Sequence, residues 1–421
     1  MNRPDWVQNP GGDTTIIKEY MRLLSESGNH VEFSCEAETD MGCFDIVHIV
    51  NLTINGCTEK FAHSAVKQNR PFVITALQED FPLFKSKSDY AANTLTTYVK
   101  NGQNKDSISN FKESIKCIDS STPLTSPFAA LMSDRVLACG ENEVVTIQKL
   151  FEKSKVSIVK FGGSKPLINN VGSELFTDTF GISDFILCVG RVEPRKNQLM
   201  LLTALEDESI PLVFIDGDTT YKPSYKEGCA QFKRKGTTLF TGRISDDLLI
   251  SAYKAARVHC LPSFYELPGL VSLEAARYGC QVVGSSWGTL PDYLQDACFY
   301  CDPDSLDSIR KTVLNAYETP PSQHLSEIAG TYTWERSADC LTTIYNEILD
   351  NPANERPVIS DNDLIFDPLS LVEIVTGKLE KGEFLEAVKI YKKFRSRFQT
   401  DPQLLQVDQL IQTIEKQISS R

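Results

Sequence analysis

Short apolar, β-branched runs alternate along the chain with stretches whose apolar residues recur at helical spacing. In the first part of the chain these runs fall at residues 45–50, 71–75, 134–139 and 156–161. Each run has the length of a strand buried on both faces, and the segments between them are long enough for a helix. This rhythm predicts βαβ units, in which helices cover both faces of a parallel sheet.

A second, more regular series follows. It predicts strands at residues 185–190, 211–216, 238–242, 257–262, 281–285 and 298–301. The glycine-containing segment 162–174 between the two series indicates a hinge. We therefore expect an α/β chain with two doubly wound domains, residues 1–164 and residues 165–350. The polar stretch 80–126 interrupts the first series and suggests a lid or an acceptor-facing insertion.

The pattern changes after a polar, proline-containing linker at residues 350–363. Apolar residues then recur at helical spacing, at Phe384, Ala387, Val388, Tyr391, Phe394 and Phe398. The segment "KGEFLEAVKIYKKF" resembles one tetratricopeptide-type helical hairpin, and Pro402 begins a further helix. One such repeat cannot bury its own apolar face. We expect residues 351–421 to pack on the body or to mediate self-association, and we favour packing on the body.

Charge and composition narrow the choice of partners. The 421 residues include 43 Lys and Arg against 56 Asp and Glu, a net charge of −13, so a broad nucleic-acid or anionic-membrane surface is not expected. No apolar run has the roughly 18 residues of a spanning helix. The start also lacks a signal-peptide pattern, so we expect a cytoplasmic chain. The 12 cysteines, including the C-x-x-C at 298–301, lack a repeated ligand spacing, so we expect reduced, buried side chains.

An anion site is predicted where a helix begins after the strand at 257–262. Proline suits a first helical turn, so we expect this helix to begin at about Pro268. The amides of Gly269, Leu270 and Val271 would then be unpaired donors at the positive end of a helix dipole, which favours an anion. Because Gly269 has no side chain, a phosphate can approach this backbone.

Two glutamates flank the predicted anion site. Glu266 lies just before the helix, and Glu274 lies more than one turn into it, on a face that can still reach the cleft. A carboxylate accepts two hydrogen bonds at once, which suits a vicinal diol. Two carboxylates around a diphosphate can therefore hold ribose hydroxyls on one side and sugar hydroxyls on the other, as a nucleotide sugar requires.

The E-x7-E spacing within "ELPGLVSLEAARYG" resembles the signature of retaining GT-B glycosyltransferases of family 4 (glycosyl transferases group 1), of the bacterial polysaccharide type. The segments "CVGRVEPRKNQ", "FTGRISDDLLISAYKAARVHCLPS" and "GSSWGTLPDYLQDACFYCDPDS" resemble flanking patterns of that family, and "YTWERSADCLTTIYNEIL" resembles its closing helix. The resemblance covers about residues 1–349 and is strongest at 185–305. It implies the GT-B fold, with two Rossmann-like domains facing a cleft and, here, a helical extension.

The resemblance also implies roles for individual residues. Arg191 and Lys196 would contact the donor diphosphate and, together with the helix amides, offset the charge that grows on the leaving nucleoside diphosphate. Glu266 would join them as a catalytic group, and Glu274 would bind the donor. Arg243 lies in the loop "FTGRIS", which would contact the donor near its base.

The N-terminal half matches the family less well. Gly11 and Gly12 in "NPGGDTTI" resemble a glycine loop that approaches the donor phosphates. The family places a hydrophobic strand before this loop, whereas "MNRPDWVQ" stands here. Either that strand is very short, or the natural start lies upstream of Met1. Many members carry a histidine after the strand that corresponds to 71–75, and this chain has Leu77 there.

Three residues are candidates for the acceptor side in place of that histidine. His48 is the nearest imidazole, although a lone histidine in an apolar strand is more often a structural residue. Glu79 and Asp80 follow Leu77 closely and can face an acceptor hydroxyl as a base.

The implied reaction is transfer of a hexosyl unit from a nucleoside-diphosphate sugar to an acceptor hydroxyl of a saccharide, with retention, in polysaccharide synthesis. UDP and GDP are both compatible, and UDP-glucose or a relative is the expected donor. We expect no cofactor and no metal, since "DGD" at 216–218 resembles a family turn and "DPD" at 302–304 a helix cap. Two alternatives stay open: a catalytically silent nucleotide-sugar-binding scaffold and a GT-B sugar-nucleotide epimerase.

Overall fold

Ten strands of a computed structural model form two parallel sheets. The model describes residues 1–421 except 9, 55, 101, 120–124, 164–169, 218–221, 352–359, 361–363, 366–367, 397–403 and 420–421. The strands of the first sheet are β1 Val47–Val50, β2 Phe72–Thr75, β3 Arg135–Ala138 and β4 Val156–Ile158. Those of the second sheet are β5 Ile186–Val189, β6 Leu212–Ile215, β7 Thr238–Phe240, β8 Val258–Leu261, β9 Gln281–Ser285 and β10 Phe299–Cys301. Each strand lies within its predicted range, so the ten predicted strands are confirmed.

The second sheet is doubly wound, and the strands of the first sheet lie side by side in sequence order. The strand order is β1-β2-β3-β4 in the first sheet and β10-β9-β8-β5-β6-β7 in the second. All neighbours are parallel, with Val47 opposite Phe72 in the first sheet and Val258 opposite Gln281 in the second. In the second sheet the order reverses between β5 and β8, and ligands of such sheets bind beyond the carboxyl ends of the strands at this point. Beside β1, Met1 donates its amine to the His48 carbonyl at 2.6 Å.

Helices cover the sheets. The sequence up to β4 contains α1 Gly12–Glu26, α2 Cys57–Lys67, α3 Phe81–Tyr98, α4 Lys105–Asp119, α5 Pro127–Met132 and α6 Glu141–Leu150. The sequence from there to residue 350 contains α7 Glu174–Phe180, α8 Gln198–Ala204, α9 Pro223–Gln231, α10 Asp246–Ala255, α11 Leu270–Arg277, α12 Leu290–Leu294, α13 Leu306–Glu318, α14 Gln323–Gly330 and α15 Trp334–Asp350. Within the described parts of the chain, no helix is both long and apolar enough to cross a membrane.

Helices α3 and α4 belong by packing to the second sheet, although they precede β3 in the sequence. Phe84, Leu95 and Phe111 are buried in the same apolar cluster as α8 and α9. The Phe111 ring lies 5.6 Å from the ring of Tyr225 on α9. The expectation of a lid or acceptor-facing insertion is therefore wrong for this helical pair. The polar composition of the segment hid an apolar stripe at helical spacing.

Helix α15 follows the second sheet in the sequence but packs on the first sheet. Its Trp334 and Leu341 are buried with Ile16 and Tyr20 of α1, against the first sheet. Gly162 lies so close to this helix that a Cβ there would stand 2.3 Å from the Trp334 amide nitrogen. Each half of the chain thus contributes helices to the other half's core.

The C-terminal segment forms three helices, α16 Pro368–Glu380, α17 Phe384–Arg395 and α18 Leu405–Ser419. Leu371, Tyr391 and Ile411 share a separate apolar core. Arg395 on α17 binds Asp408 on α18 through two hydrogen bonds of 2.9 and 2.8 Å. The predicted helical hairpin is present. Within the described part of the chain its apolar residues pack among α16, α17 and α18, in a cluster separate from those of the body, contrary to the packing that we favoured.

Candidate active site

The candidate site is built from loops at the carboxyl ends of β5, β8 and β9. After β5 a 3₁₀ turn, Pro194–Lys196, leads into α8. Asn197 is fully buried and donates its side-chain amide to the carbonyls of Pro262 (3.0 Å) and Pro303 (2.7 Å). This one amide joins the loops that follow β5, β8 and β10, which fixes the position of the charged residues beside it.

Lys196 and Glu266 form the central ion pair of the site. The Lys196 Nζ to Glu266 Oε1 distance is 2.5 Å, and each side chain is about one-tenth exposed. Although burial opposes it, Lys196 and Arg195 hold the pKa of Glu266 below its usual range. Lys196, which the resemblance placed on the donor diphosphate, and Glu266, which it placed among the catalytic groups, are thus brought together. The Lys196 ammonium is held in place by this carboxylate.

The loop after β9 encloses Glu266. The Thr289 amide donates to the Glu266 carbonyl at 2.9 Å. A Cβ at Gly288 would stand 2.5 Å from the same carbonyl oxygen, so a larger residue cannot occupy this position without moving the loop. The backbone of Glu266 is therefore fixed independently of its side chain.

Helix α11 begins at Leu270, two residues later than expected. Gly269 is its N-cap and has φ 81° and ψ 71°, a left-handed conformation that glycine adopts readily. The prediction that Pro268 opens the first turn is wrong, because the chain turns at Gly269 before it becomes helical. The amides of Leu270 and Val271 still lie in the first turn, where intrahelical acceptors are lacking. A Cβ at Gly269 would lie 3.5 Å from Glu266 Oε2, so this carboxylate adjoins the helix start.

Glu274 lies on α11, half-buried, with its Oε2 accepting a hydrogen bond from the Tyr253 hydroxyl at 3.0 Å. Burial, together with this carboxylate, raises the pKa of Tyr253 well above its ordinary value, so the phenol stays a donor. Tyr253 therefore orients Glu274, which sequence reasoning did not anticipate.

Arg195 is the main site residue that sequence reasoning missed. Its guanidinium lies 3.0 Å from Glu79 Oε1, 3.2 Å from Glu193 Oε1 and 3.8 Å from Glu266 Oε1. It also donates to the Tyr265 carbonyl at 3.2 Å. In the sequence it stands beside Lys196 in "PRK", and a guanidinium suits several acceptors at once better than an ammonium does.

The loop after β2 brings Glu79 to this arginine. Leu77, at the position where the family has histidine, has φ 50°. The next amide, that of Gln78, donates to Glu143 Oε1 at 2.7 Å, and the Cys139 amide donates to Glu143 Oε2 at 2.6 Å. Glu143 is completely buried and so fixes the loop that carries Glu79.

The other acceptor-side candidates are engaged elsewhere. Asp80 caps α3, with its Oδ1 accepting the Leu83 amide at 3.0 Å. His48 lies within β1, where its two ring nitrogens lie 2.7 Å from the Tyr345 and Thr75 hydroxyls. Burial lowers the pKa of His48 to about 3, so the ring is neutral. These contacts favour a structural role for His48 and Asp80. Glu79 is the acceptor-side candidate that contacts the site, through Arg195.

The remaining donor-side candidates are Arg191, Arg243, Gly11 and Gly12. Arg191 pairs with Glu193 at 3.6 Å, and Arg243, after β7, is exposed. Gly11 is the N-cap of α1 and Gly12 its first residue. The same helix start carries Asp13, whose Oδ2 lies 3.0 Å from Arg3 Nε. Described contacts do not join these glycines to the Glu266 pair.

The described aspartates of the two D-x-D sequences have side-chain partners. Asp216 pairs with Lys226 at 2.6 Å, and Asp218 lies outside the described residues. Asp302 accepts the Ser286 hydroxyl at 3.1 Å, and Asp304 pairs with Lys87 at 3.2 Å. In the described part of the chain, no group of three or more His, Cys, Asp and Glu side chains is arranged to hold a metal ion.

The two domains contact each other directly around the site. The Tyr293 hydroxyl on α12 donates to the Cys139 carbonyl at 2.8 Å and accepts the Phe161 amide at 2.8 Å. Asn142, at the start of α6, donates its side-chain amide to the Gly288 carbonyl at 2.7 Å. The loop that holds Glu266 is thereby tied to the first domain.

Two Rossmann-like domains that meet at an E-x7-E motif define the GT-B class of glycosyltransferases. Residues 179–330 match the family model described as "Glycosyl transferases group 1". This part of the chain, within the second domain, is therefore similar to that family.

Curated relatives are similar to this chain over part of their length. The chain is 29% identical over 177 residues to an O-antigen chain mannosyltransferase B of Escherichia coli, which covers 38% of this chain and 45% of that protein. It is 30% identical over 159 residues to a serotype-specific mannosyltransferase WbdA of Escherichia coli, covering 33% of this chain and 18% of that protein. The chain thus spans less than half the length of these curated relatives.

Solved structures share the fold at low sequence identity. A sucrose-phosphate synthase from Thermosynechococcus elongatus aligns with a TM-score of 0.56 and 14% identity, covering 81% of this chain and 94% of that one. An α,α-trehalose 6-phosphate synthase from Burkholderia multivorans aligns with a TM-score of 0.52 and 10% identity, covering 81% and 77%. Together with the two sheets, these similarities confirm the predicted GT-B fold.

Proposed function

We propose that this protein transfers a hexosyl unit from a nucleoside-diphosphate sugar to a saccharide hydroxyl, with retention, in polysaccharide synthesis. The observation that carries the proposal is the buried Lys196–Glu266 pair beside the start of α11. It places a cation and a carboxylate next to helix amides, beyond the carboxyl ends of β5 and β8. The match of residues 179–330 to the family model and the similarity to mannosyltransferases support the same reaction class.

In this proposal the protein stabilises the leaving group. Lys196 and the Leu270 and Val271 amides offset the charge that develops on the departing nucleoside diphosphate. Glu266 holds the Lys196 ammonium in position, and Glu274, oriented by Tyr253, accepts hydrogen bonds from donor hydroxyls. The leaving phosphate takes the acceptor's proton on the same face of the sugar, so the reaction needs no covalent nucleophile. We propose that this cationic arrangement also replaces a divalent metal.

The donor sugar is a separate part of the proposal. The two relatives compared above are named as mannosyltransferases. This favours a mannosyl donor over the UDP-glucose expected from the sequence. Both are nucleoside-diphosphate hexoses, and the site contacts described above would serve either.

The test is nucleotide release from GDP-mannose, UDP-glucose and other UDP-, GDP- and ADP-hexoses, with EDTA present throughout. We expect the wild-type protein to hydrolyse one donor slowly. Lys196→Ala should lower kcat/KM by roughly 100- to 1,000-fold, because a group that stabilises the leaving charge is lost. Glu274→Gln should chiefly raise the donor KM, because it acts on bound hydroxyls in ground and transition states alike.

Glu335→Gln, at an exposed position on α15, is the matched control and should behave as wild type. Donor binding without nucleotide release, measured by calorimetry, would instead favour a silent nucleotide-sugar-binding scaffold. Release that occurs only when Mg²⁺ or Mn²⁺ is added in excess of the EDTA would contradict the metal-independent part of the proposal.

A further inference from the structure

An ion pair joins the loop after β2, in the first domain, to the donor-side loop after β5, in the second. Glu79 Oε1 and Arg195 Nη1 lie 3.0 Å apart, although the two residues are 116 positions apart in the sequence. The Arg195 and Glu79 side chains are 23% and 18% exposed. The pair therefore lies largely out of solvent at the junction of the domains.

Both ends of the pair are fixed by further contacts. On the second-domain side, the Arg195 carbonyl accepts the Phe264 amide at 2.9 Å, and the guanidinium reaches Glu193 and the Tyr265 carbonyl at 3.2 Å each. On the first-domain side, Glu143 holds the Gln78 amide directly beside Glu79. A displacement of one loop would thus be transmitted to the other.

Stability alone gives little reason for such a pair. Removing two charges from water costs several kcal/mol per ion, and apolar residues of similar volume commonly replace buried ion pairs without loss. The Glu79 carboxylate also lies near two others, those of Glu193 and Glu266, which disfavour its charge. A group held against these costs, at the junction of donor and acceptor loops, points to a role in the reaction.

We propose that Arg195 and Glu79 are positioning residues that hold the acceptor-side loop after β2 in a fixed position relative to the donor site. The inference rests on the proposed glycosyl transfer. When the two loops keep this relative position, an acceptor hydroxyl is held against the donor sugar and water is excluded. Without the pair, the donor still binds at Lys196 and Glu266, but the acceptor is misplaced and water enters. The pair thus selects transfer over hydrolysis.

The test compares full-length wild type with Glu79→Gln, Glu79→Asp and Arg195→Lys. The donor is the sugar nucleotide that wild type turns over, and the acceptor probes are the methyl α-D-glycosides of glucose, galactose and mannose. We expect Glu79→Gln and Arg195→Lys to keep a donor KM within about twofold of wild type. Transfer should fall about 10- to 100-fold, the range that a small misplacement of reacting groups produces.

With water as the sole acceptor, nucleotide release by these two variants should equal or exceed that of wild type. Glu79→Asp, which keeps the charge, should recover part of the transfer. Arg395→Lys, which alters a similar arginine–carboxylate pair between α17 and α18, should change neither rate.

Several results would overturn the inference. Hydrolysis that falls in parallel with transfer, or a donor KM that rises as kcat falls, would show that the pair acts on the donor site or on folding. Wild-type kinetics in both variants would remove this inference and leave the proposed function intact. No turnover of any donor by wild type would remove the proposed function and this inference with it.

Discussion

Glu143 shows how one buried carboxylate can organise a loop. It is completely inaccessible, and its two oxygens accept the amides of Gln78 and Cys139, which follow the neighbouring strands β2 and β3 of the first sheet. These hydrogen bonds satisfy amides that the turn after β2 would otherwise leave unpaired, which matters because an unsatisfied buried amide is costly. The loop that carries Glu79 is thus defined by a residue on α6.

The pKa of Glu143 predicts a pH dependence of stability. Burial raises this pKa from 4.5 to about 7, against the two backbone amides, which lower it. Because the folded state binds the proton more tightly than the unfolded state, the stabilisation is complete below about pH 4.5 and is lost as the pH rises through 7. The free energy of unfolding of wild type, relative to Glu143→Gln, should therefore fall by roughly 1–3 kcal/mol between about pH 5 and pH 8.

Urea unfolding of both proteins at four pH values across this range measures the difference. Glu141→Gln, at an exposed position on the same helix, is the control and should track wild type. A difference that is constant with pH would show that Glu143 does not change its protonation in this range.

Among the elements, the start of α11 matters most for the site. The chain enters the helix through Gly269 in a left-handed conformation, and this places the Glu266 side chain beside the first helical turn. The E-x7-E spacing alone does not specify the residue at which the helix begins. The backbone conformation at Gly269 decides where the first glutamate points.

Substitution of Gly269 by alanine should destabilise the protein. A residue with a Cβ loses about 1–2 kcal/mol in the left-handed region, and the new methyl group would meet Glu266 at 3.4–3.5 Å. The free energy of unfolding should fall by that amount, and GDP or UDP should bind more weakly because the helix start shifts.

Gly377→Ala in α16 is the matched control. A Cβ there would meet nothing within 4 Å, so this variant should gain about 0.5–1 kcal/mol of helix stability. Chemical unfolding and calorimetry of nucleotide binding check both variants. Full stability in Gly269→Ala would show that this backbone can relax out of its left-handed conformation.

For the whole molecule, the exchange of helices between the halves is the main result. Helices α3 and α4 complete the core of the second sheet, and α15 packs on the first. A sequence boundary at residue 164 therefore separates the strands of the two sheets but does not separate their cores.

Because α4 packs in the core of the second sheet, a cavity created in α4 should destabilise the second domain. Phe111 is fully buried against α9, and Phe111→Ala should cost about 3–5 kcal/mol. Hydrogen exchange should accelerate first in α8 and α9 of the second domain. Phe61→Ala, in the core of the first sheet, is the matched variant and should accelerate exchange in β1 and β2.

Faster exchange in β1 and β2 of Phe111→Ala, with α8 and α9 unchanged, would contradict the assignment of α4 to the second domain's core.

The strands, the two sheets and the E-x7-E motif can be predicted from the order of residues alone. Buried parallel strands must be apolar on both faces, and a helix start after a strand is a local pattern, so both can be read from neighbouring residues. Only contacts formed on folding show which cation pairs with Glu266, which of the acceptor-side candidates reaches the site, and which sheet α3 and α4 cover. These depend on contacts such as Arg195–Glu79, between residues 116 positions apart, whose geometry no local pattern specifies.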